Sequence, residues 1–467
     1  MHERYADTVL NLVLHQRGVY IKLAQIGAVK PDIVPAAYCK RFEILQDGVP
    51  PQPGAYARSM IELAFNRTVD SVFSEFNDIA IGSATIGQVH SAKLHNGMDC
   101  VVKIQYPEVR RLFTSDISTL KAFVRLAQPE HYPMFQEMAD AFEIEFDFQR
   151  EAKYMDIIHD TIKSNRYYSR YVDVPHSINN LVSPYVLVMT RLDGIKLIDG
   201  LRHQAEILAK KQGKSIQQLN DEMKQIMFAN KKSIYKAPNP YLITIYSTVL
   251  TIATKSMNTF IGIYHYTVAL ITRHPLQYKK NQIVINPVQI IDLLNDVHSY
   301  ELFVSGLVNC DPHPGNILLL NNGKIGLIDY GQTRVFPVDT RCKLARMIEL
   351  LAADDYNGIA EHYKHMGLIT RNMDPYVINK LAQLGFNDDS SDVTEGQNAQ
   401  LYFESLGQRD ETLVIPEGYL MASRIGMLLR GLGSLIGVPH KSADKFLHNA
   451  QLCLKQNKDV WEQIKCC

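Results

Sequence analysis

The chain has 467 residues, 46% of them hydrophobic and 21% charged, the composition of a folded globular protein too long for one simple core, so two or three domains or lobes are expected. Lys plus Arg (49) equals Asp plus Glu (49), which argues against a nucleic-acid partner. The seven cysteines, at 39, 100, 310, 342, 453, 466 and 467, lack metal-type spacing, and their scatter fits a reducing compartment better than a disulfide framework.

Residues 1–7 are polar and lead straight into a helical pattern, so no signal or transit peptide is visible. Over residues 8–29 the period predicts one helix, with Thr8, Leu12, His15, Val19, Lys22, Ile26 and Val29 on a single stripe. Pro31, Pro35 and the run Pro50-Pro51-Gln52-Pro53-Gly54 punctuate the next stretch, with a short helical segment between them and a further helix over 55–64. From about residue 79 the texture turns to β, and Asn96-Gly97 marks a hairpin whose second strand carries Lys103. A long helix is expected over 132–160, strand over 181–194 and a polar helix over 203–227. Residues 241–272 are the most apolar, but Lys255, Asn258 and His265 interrupt them, so a pair of buried or surface-docked helices is expected in place of a membrane span. From residue 339 the chain reads as helical, apart from a polar loop over 387–400. The terminal Cys466-Cys467 is read as an unmodified end, not a prenylation site. No internal repeat stands out.

Residues 309–332, NCDPHPGNILLLNNGKIGLIDYGQ, carry the strongest chemical signal. Asn322-Gly323 lies between two apolar runs, a hairpin signal because both residues tolerate positive φ. Such a hairpin draws Asn316, before its first strand, toward Asp329, after its second, where side-chain oxygens can hold a hard divalent cation. Asp311, four residues, Asn316 and then Asp329-Tyr330-Gly331 is the layout of a kinase catalytic loop and metal loop. In that layout Asp311 acts on the acceptor hydroxyl, while Asn316 and Asp329 hold Mg²⁺ against the phosphates.

The upstream residues supply matching charges. Lys103 in VVKIQ (101–105) sits on a strand after a hairpin, as a phosphate-pairing lysine requires. No kinase-type glycine-rich loop precedes it; Gly82-Ser83-Ala84-Thr85-Ile86-Gly87-Gln88 stands there instead, small residues that allow close approach of backbone to phosphate. Read as one helix, EIEFDFQREAKYM puts Met138, Ala141, Phe142, Glu145, Phe148, Ala152 and Met155 on one stripe, with Glu145 in its middle. A buried carboxylate needs a partner, and Lys22 sits on an apolar stripe of its own. Pairing Lys22 with Glu145 and Lys103 with Glu151, which lies elsewhere around the helix, is the economical solution; the alternative is that Lys22 and Glu145 both snorkel to solvent.

Together these motifs resemble the UbiB family of atypical kinase-like proteins, also called aarF-domain-containing kinases. YIKLAQIGAVKPDIVPAAYCKRFEILQDGVPP looks like its Lys-x-Gly-Gln signature, SATIGQVHSA like its alanine-rich nucleotide loop, EFDFQREA like its Glu-x-Asp helix, and DPHPGN and DYG like its catalytic and metal loops. The resemblance covers nearly the whole chain from Gly18. It implies an α+β, two-lobed protein-kinase-like fold with an N-terminal helical extension (1–75), a small lobe (76–195) and a large lobe (196–467) with extra helices. It also implies binding of ATP and Mg²⁺, with Asp311 catalytic, Asn316 and Asp329 on the metal, and Lys103, oriented by Glu151, on phosphate. Ala84 and Thr85 would form the nucleotide loop, Gln25 would reach the nucleotide, Lys22 would contact Glu145 and Asp147, and adenine would dock near 189–192. Family members are implicated in prenylquinone (ubiquinone) biosynthesis or lipid homeostasis, many of them in mitochondria or plastids, so lipid or quinone precursors and a membrane surface are expected partners. Three positions depart from the pattern: Ala24 replaces a Gly, Asn309 stands where a His is usual, and Tyr330 replaces a Phe. Residues 229–290 match no common feature of the family. Two other readings compete: a nucleotide-binding pseudokinase scaffold for a membrane-associated complex, and a small-molecule phosphotransferase, which accounts for Asp311 and Asn316 but not for the Lys22 signature.

Overall fold

A computed structural model describes residues 2–28, 34–46, 49–127, 142–215, 240–267, 286–416 and 418–465, with 135–136, 139, 218 and 276–278. The chain divides into two compact units. The first holds residues 1–193, 307–311 and 326–335; the second holds 194–306, 312–325 and 336–467.

The first unit is built on one antiparallel sheet. Its strands are β1 (Phe73–Phe76), β2 (Gly82–Ser83), β3 (Gly87–Leu94), β4 (Asp99–Gln105), β6 (Ser177–Val182) and β7 (Val186–Thr190), in the order β1-β3-β4-β7-β6 with β2 on β3; the two-residue strand β5 (Val172–Asp173) lies outside it. The hairpin predicted at Asn96-Gly97 is present: Gly97 has a φ of 84°, and the Leu94 N–H donates to the Met98 carbonyl at 2.9 Å. Strand alternation then decides where Lys103 goes. Cys100, Val102 and Ile104 are fully buried against Ala57, Met60 and Ile61 of the helix Gly54–Phe65, so Lys103 takes the opposite face. It pairs with Val89 on β3 and Leu187 on β7. The strand expected over 181–194 is interrupted at Ser183, whose hydroxyl accepts the Val186 N–H at 2.9 Å and turns the chain between β6 and β7.

Two long helices expected from the sequence are broken. Residues 8–29 do not form one helix: His2–Gln16 and Gly18–Ala28 meet at Arg17 and Gly18, which both adopt positive φ (57° and 52°). The stripe through Leu12 therefore does not continue, and Leu12 is exposed while Val13, Ile21 and Ala24 pack with Phe42, Leu45 and Val49. The helix expected over 132–160 is likewise interrupted. Glu145 and Phe146 form a tight turn, with N–H groups bonded three residues back, and a new helix runs Phe148–Ser164. Asp147 is its N-cap, its carboxylate accepting the Arg150 N–H at 2.9 Å. An aspartate that can satisfy the free N–H groups of a helix start favours beginning a new helix there.

The second unit is mostly helical, and its core sets Val338–Ala352 against Ser442–Gln456, with Pro287–Tyr300 alongside. The polar helix expected over 203–227 is observed as Leu197–Gln212, ended by Gly213 with φ 66°; most of its remainder falls outside the described residues. Pro240–Tyr266 is a single 27-residue helix where two were expected, and 268–275 lie outside the described residues. Among the described residues no helix is long and apolar enough to cross a membrane. Residues 229–239 and 279–285, and Cys466 and Cys467, also fall outside them.

Candidate active site

The first unit brings two carboxylates together around Lys103. Its ammonium donates to both oxygens of Glu151, at 2.7 and 2.9 Å, and lies 3.5 Å from Asp329 Oδ1. Glu151 occupies the first turn of the helix that Asp147 caps, where the helix dipole favours a carboxylate. It also accepts the Tyr330 backbone N–H. The Glu151 side chain is 2% exposed and that of Asp329 42%, and the two acids respond differently. Burial pushes the Glu151 carboxyl above its ordinary value, with Lys103 opposing. Burial acts the same way on Asp329, but Lys103 and the Gly331 N–H outweigh it and hold that carboxyl below its ordinary value. Lys103 is penalised by burial, yet Asp329 and Glu151 together raise its pKa and keep it charged.

The segment that carries Asp329 is tied to the loop before it. Asn309 Nδ2 donates to the Asp329 carbonyl at 2.6 Å, and its Oδ1 accepts the Asp311 N–H at 3.0 Å. Residues 307–309 and 333–335 pair as antiparallel strands, with Asn309 opposite Thr333. One side chain thus fixes the backbones that present Asp311 and Asp329.

A second cluster involves the extension. Lys22 Nζ donates to Glu145 at 3.0 and 3.2 Å and sits 5.2 Å from the centre of the Phe142 ring. Gln332 donates its amide to Glu145 Oε1 at 2.5 Å. The partner inferred for Lys22 is the observed one, but the continuous helix used to infer it is absent, since Glu145 projects from a turn. Asp147 is corrected: among the described residues Lys22 reaches Glu145 and not Asp147, whose carboxylate is used as a helix cap.

Ala84 and Thr85 lie between β2 and β3, Ala84 exposed and Thr85 buried, and the Ala84 N–H donates to the Gly87 carbonyl at 2.8 Å. Gly87 has no substitute here, because a Cβ would stand 2.3 Å from the Ile104 carbonyl oxygen. Gln25 belongs to the helix Gly18–Ala28, and its side chain lies outside the described residues. Asn316 belongs to the second unit, at the end of the one-turn helix Pro314–Asn316 that leads into the strand Ile317–Leu320. Gln332 was missed in the sequence, although its place directly after Asp-Tyr-Gly was available as a signal.

Mg²⁺ fits this donor set. It takes one or two carboxylates and completes its shell with water and phosphate oxygens, and Asp329 offers an ionised, partly open carboxylate. Among the described residues there is no group of three or more His, Cys, Asp or Glu side chains that could hold a metal without such help.

Residues 44–233 and 268–363 match the ABC1 atypical kinase-like domain. The chain is 23% identical to AarF domain-containing protein kinase 1 of Xenopus laevis, over 97% of this chain and 75% of that one. It is 31% identical to the probable protein kinase UbiB of Xylella fastidiosa strain 9a5c, over 40% and 35%. A solved complex of Rv3197 with erythromycin from Mycobacterium tuberculosis aligns over 94% of this chain and 96% of that one, at 18% identity and a TM-score of 0.47. Since the domain match spans more than half of the chain and the fold is of the mixed α+β, kinase-like type, the protein belongs to the ABC1 atypical kinase-like family, with UbiB and AarF kinases among its relatives.

Proposed function

We propose that the protein binds ATP with Mg²⁺ and transfers the terminal phosphoryl group, either to water or to an acceptor in lipid or prenylquinone metabolism, in the mitochondrion. The observation that carries this reading is the Lys103–Glu151–Asp329 cluster: a buried ammonium fixed by one carboxylate beside a second, partly open one. Lys103 binds and orients phosphate oxygens, and Glu151 holds its ammonium in place. Asp329 is the metal ligand, and Asn316 keeps the same role from its spacing after Asp311. Mg²⁺, when bound, neutralises charge on the phosphates. Asp311 orients the acceptor hydroxyl or water and takes up its proton. The quinone and lipid assignment, and the compartment, rest on the family resemblance.

Two substitutions test the reading. Asp329→Asn removes the charge that draws the cation and is expected to abolish Mg²⁺-dependent stabilisation by ATP in a thermal-shift titration. Asp311→Asn is expected to leave that stabilisation intact while suppressing ADP release, measured with and without lipid vesicles and quinone precursors. Unchanged Mg²⁺-ATP affinity in the first variant, or wild-type turnover in the second, refutes the corresponding assignment.

A further inference from the structure

Small side chains make a loop that can approach phosphate. Between β2 and β3, Thr85 and Ile86 are buried, and hydrogen bonds behind the loop hold it in addition. Gln88, fully buried at the start of β3, has every polar valence of its side-chain amide filled. Its Oε1 accepts the Gln52 N–H and the Tyr106 hydroxyl, both at 2.7 Å. Its Nε2 donates to the Gln52 carbonyl at 3.2 Å and meets His90 Nε2 at 2.8 Å. His90 Nδ1 lies 2.8 Å from the Asn77 carbonyl, which can only accept, so the ring proton is on Nδ1 and Nε2 is free to accept from Gln88.

Tyr106 carries the anchorage forward. It is fully buried; its hydroxyl proton goes to Gln88, so Ser83 Oγ, 3.2 Å away, donates to the phenol oxygen. Its backbone N–H donates to the Ile86 carbonyl at 2.9 Å. The loop is thus fastened at Ser83 and again at Ile86, and closed on itself by Ala84 and Gly87. Arg17 completes the support: its guanidinium lies 5.4 Å from the centre of the Tyr106 ring and donates to the Pro50 carbonyl at 3.0 Å. The proline-rich segment after the first helices is therefore built into the back of the loop.

We propose that Gln88 and Tyr106 are positioning residues for the phosphate-facing loop, with the Gln52 backbone as their fixed point, so that the extension presets the backbone N–H groups which receive the phosphates of a nucleoside triphosphate. The proposal rests on the reading of the Lys103 cluster as a nucleotide site. A loop fixed in advance spends less of the ligand's binding free energy on ordering, and the effect of loosening it falls on affinity more than on the chemical step.

The test uses the full chain with Tyr106→Phe, which keeps the ring under Arg17 and removes only the hydroxyl, and with Gln88→Met as a second variant. Two quantities are read: affinity for Mg²⁺-ATP, by titration with a fluorescent ATP analogue, and amide hydrogen exchange over residues 83–87. Tyr106→Phe is expected to weaken affinity about tenfold, the worth of one to two hydrogen bonds, and to speed exchange over 83–87, with kcat at saturating ATP within about twofold of wild type. Gln88→Met is expected to lose at least as much affinity. Unchanged exchange in the loop, or unchanged affinity with faster exchange, overturns the proposal. A wild-type chain that binds no nucleotide refutes the kinase or ATPase function itself, whereas the exchange measurement still decides the anchoring.

Discussion

Two lysine–glutamate pairs stand in the same unit, and they are built differently. Lys103–Glu151 joins the middle of a strand to the first turn of a capped helix, and its side chains are 15% and 2% exposed. Lys22–Glu145 joins a helix of the extension to a tight turn, with 22% and 14% exposed. The further partners differ too. Lys103 has a second carboxylate, Asp329, whereas Glu145 has a neutral amide, Gln332. Counted as charges, the first cluster carries one negative charge in excess and the second is balanced. The first can therefore recruit a cation and the second only ties segments together.

The largest expected effect comes from Lys103→Met. It strands Glu151 and leaves Asp329 without its cation, at a cost of about 3–5 kcal/mol, the range for breaking a buried pair, read by urea unfolding at pH 7. The pH dependence sharpens the contrast. In the wild-type chain buried His298 and His362 are both held down to about 4, well below the ordinary histidine value of about 6.5. The unfolded chain then binds more protons across this window, so wild-type stability falls as pH drops from 6.5 toward 4. In Lys103→Met the stranded carboxyls titrate above their ordinary values, so the folded variant binds protons that the unfolded chain does not. The stability gap between variant and wild type should therefore narrow as pH falls from 7 to 5. A gap that stays constant would mean that the acids were never held by Lys103.

A smaller loss, about 2 kcal/mol, is expected for Lys22→Met, because Glu145 keeps the Gln332 amide and some contact with water. Lys22→Met with Glu145→Leu should recover much of it, and a double-mutant cycle in thermal unfolding measures the coupling. Additive effects would show that the extension is not clamped there. The smallest change, about 1 kcal/mol, belongs to Gln332→Leu, which removes one hydrogen bond and leaves the charges paired. If its cost in urea unfolding exceeds that of Lys22→Met, the Gln332 amide and not the Lys22 ammonium is what chiefly holds Glu145.

Legibility in the sequence tracks the range of the interactions. The hairpin carrying Lys103 was legible because Asn96-Gly97 fixes a turn locally and strand alternation fixes the face. The two charge pairs were legible because buried charge demands a partner. The helix breaks at Arg17-Gly18 and at Glu145-Phe146 were not, since a stripe that continues across a break looks the same as one that does not. Asp147 held the missed clue, a capping side chain that was read as a ligand to Lys22. Gln52, Gln88, Tyr106 and Gln332 were invisible for another reason. Apart from the Gln88–His90 contact, their side-chain bonds join residues from 18 to 187 positions apart, and a neutral amide or phenol leaves no periodic trace.

Asn309 has one more consequence. The side chain that links the backbones of Asp311 and Asp329 has no proton to gain or lose between pH 5 and 8, whereas a histidine in its place would titrate there, with an ordinary value of about 6.5. The scaffold joining the two loops is thus blind to acidity near neutrality. Any limb in a rate–pH profile over that range will report the reacting groups or the bound nucleotide, and not the joint that holds the loops in register.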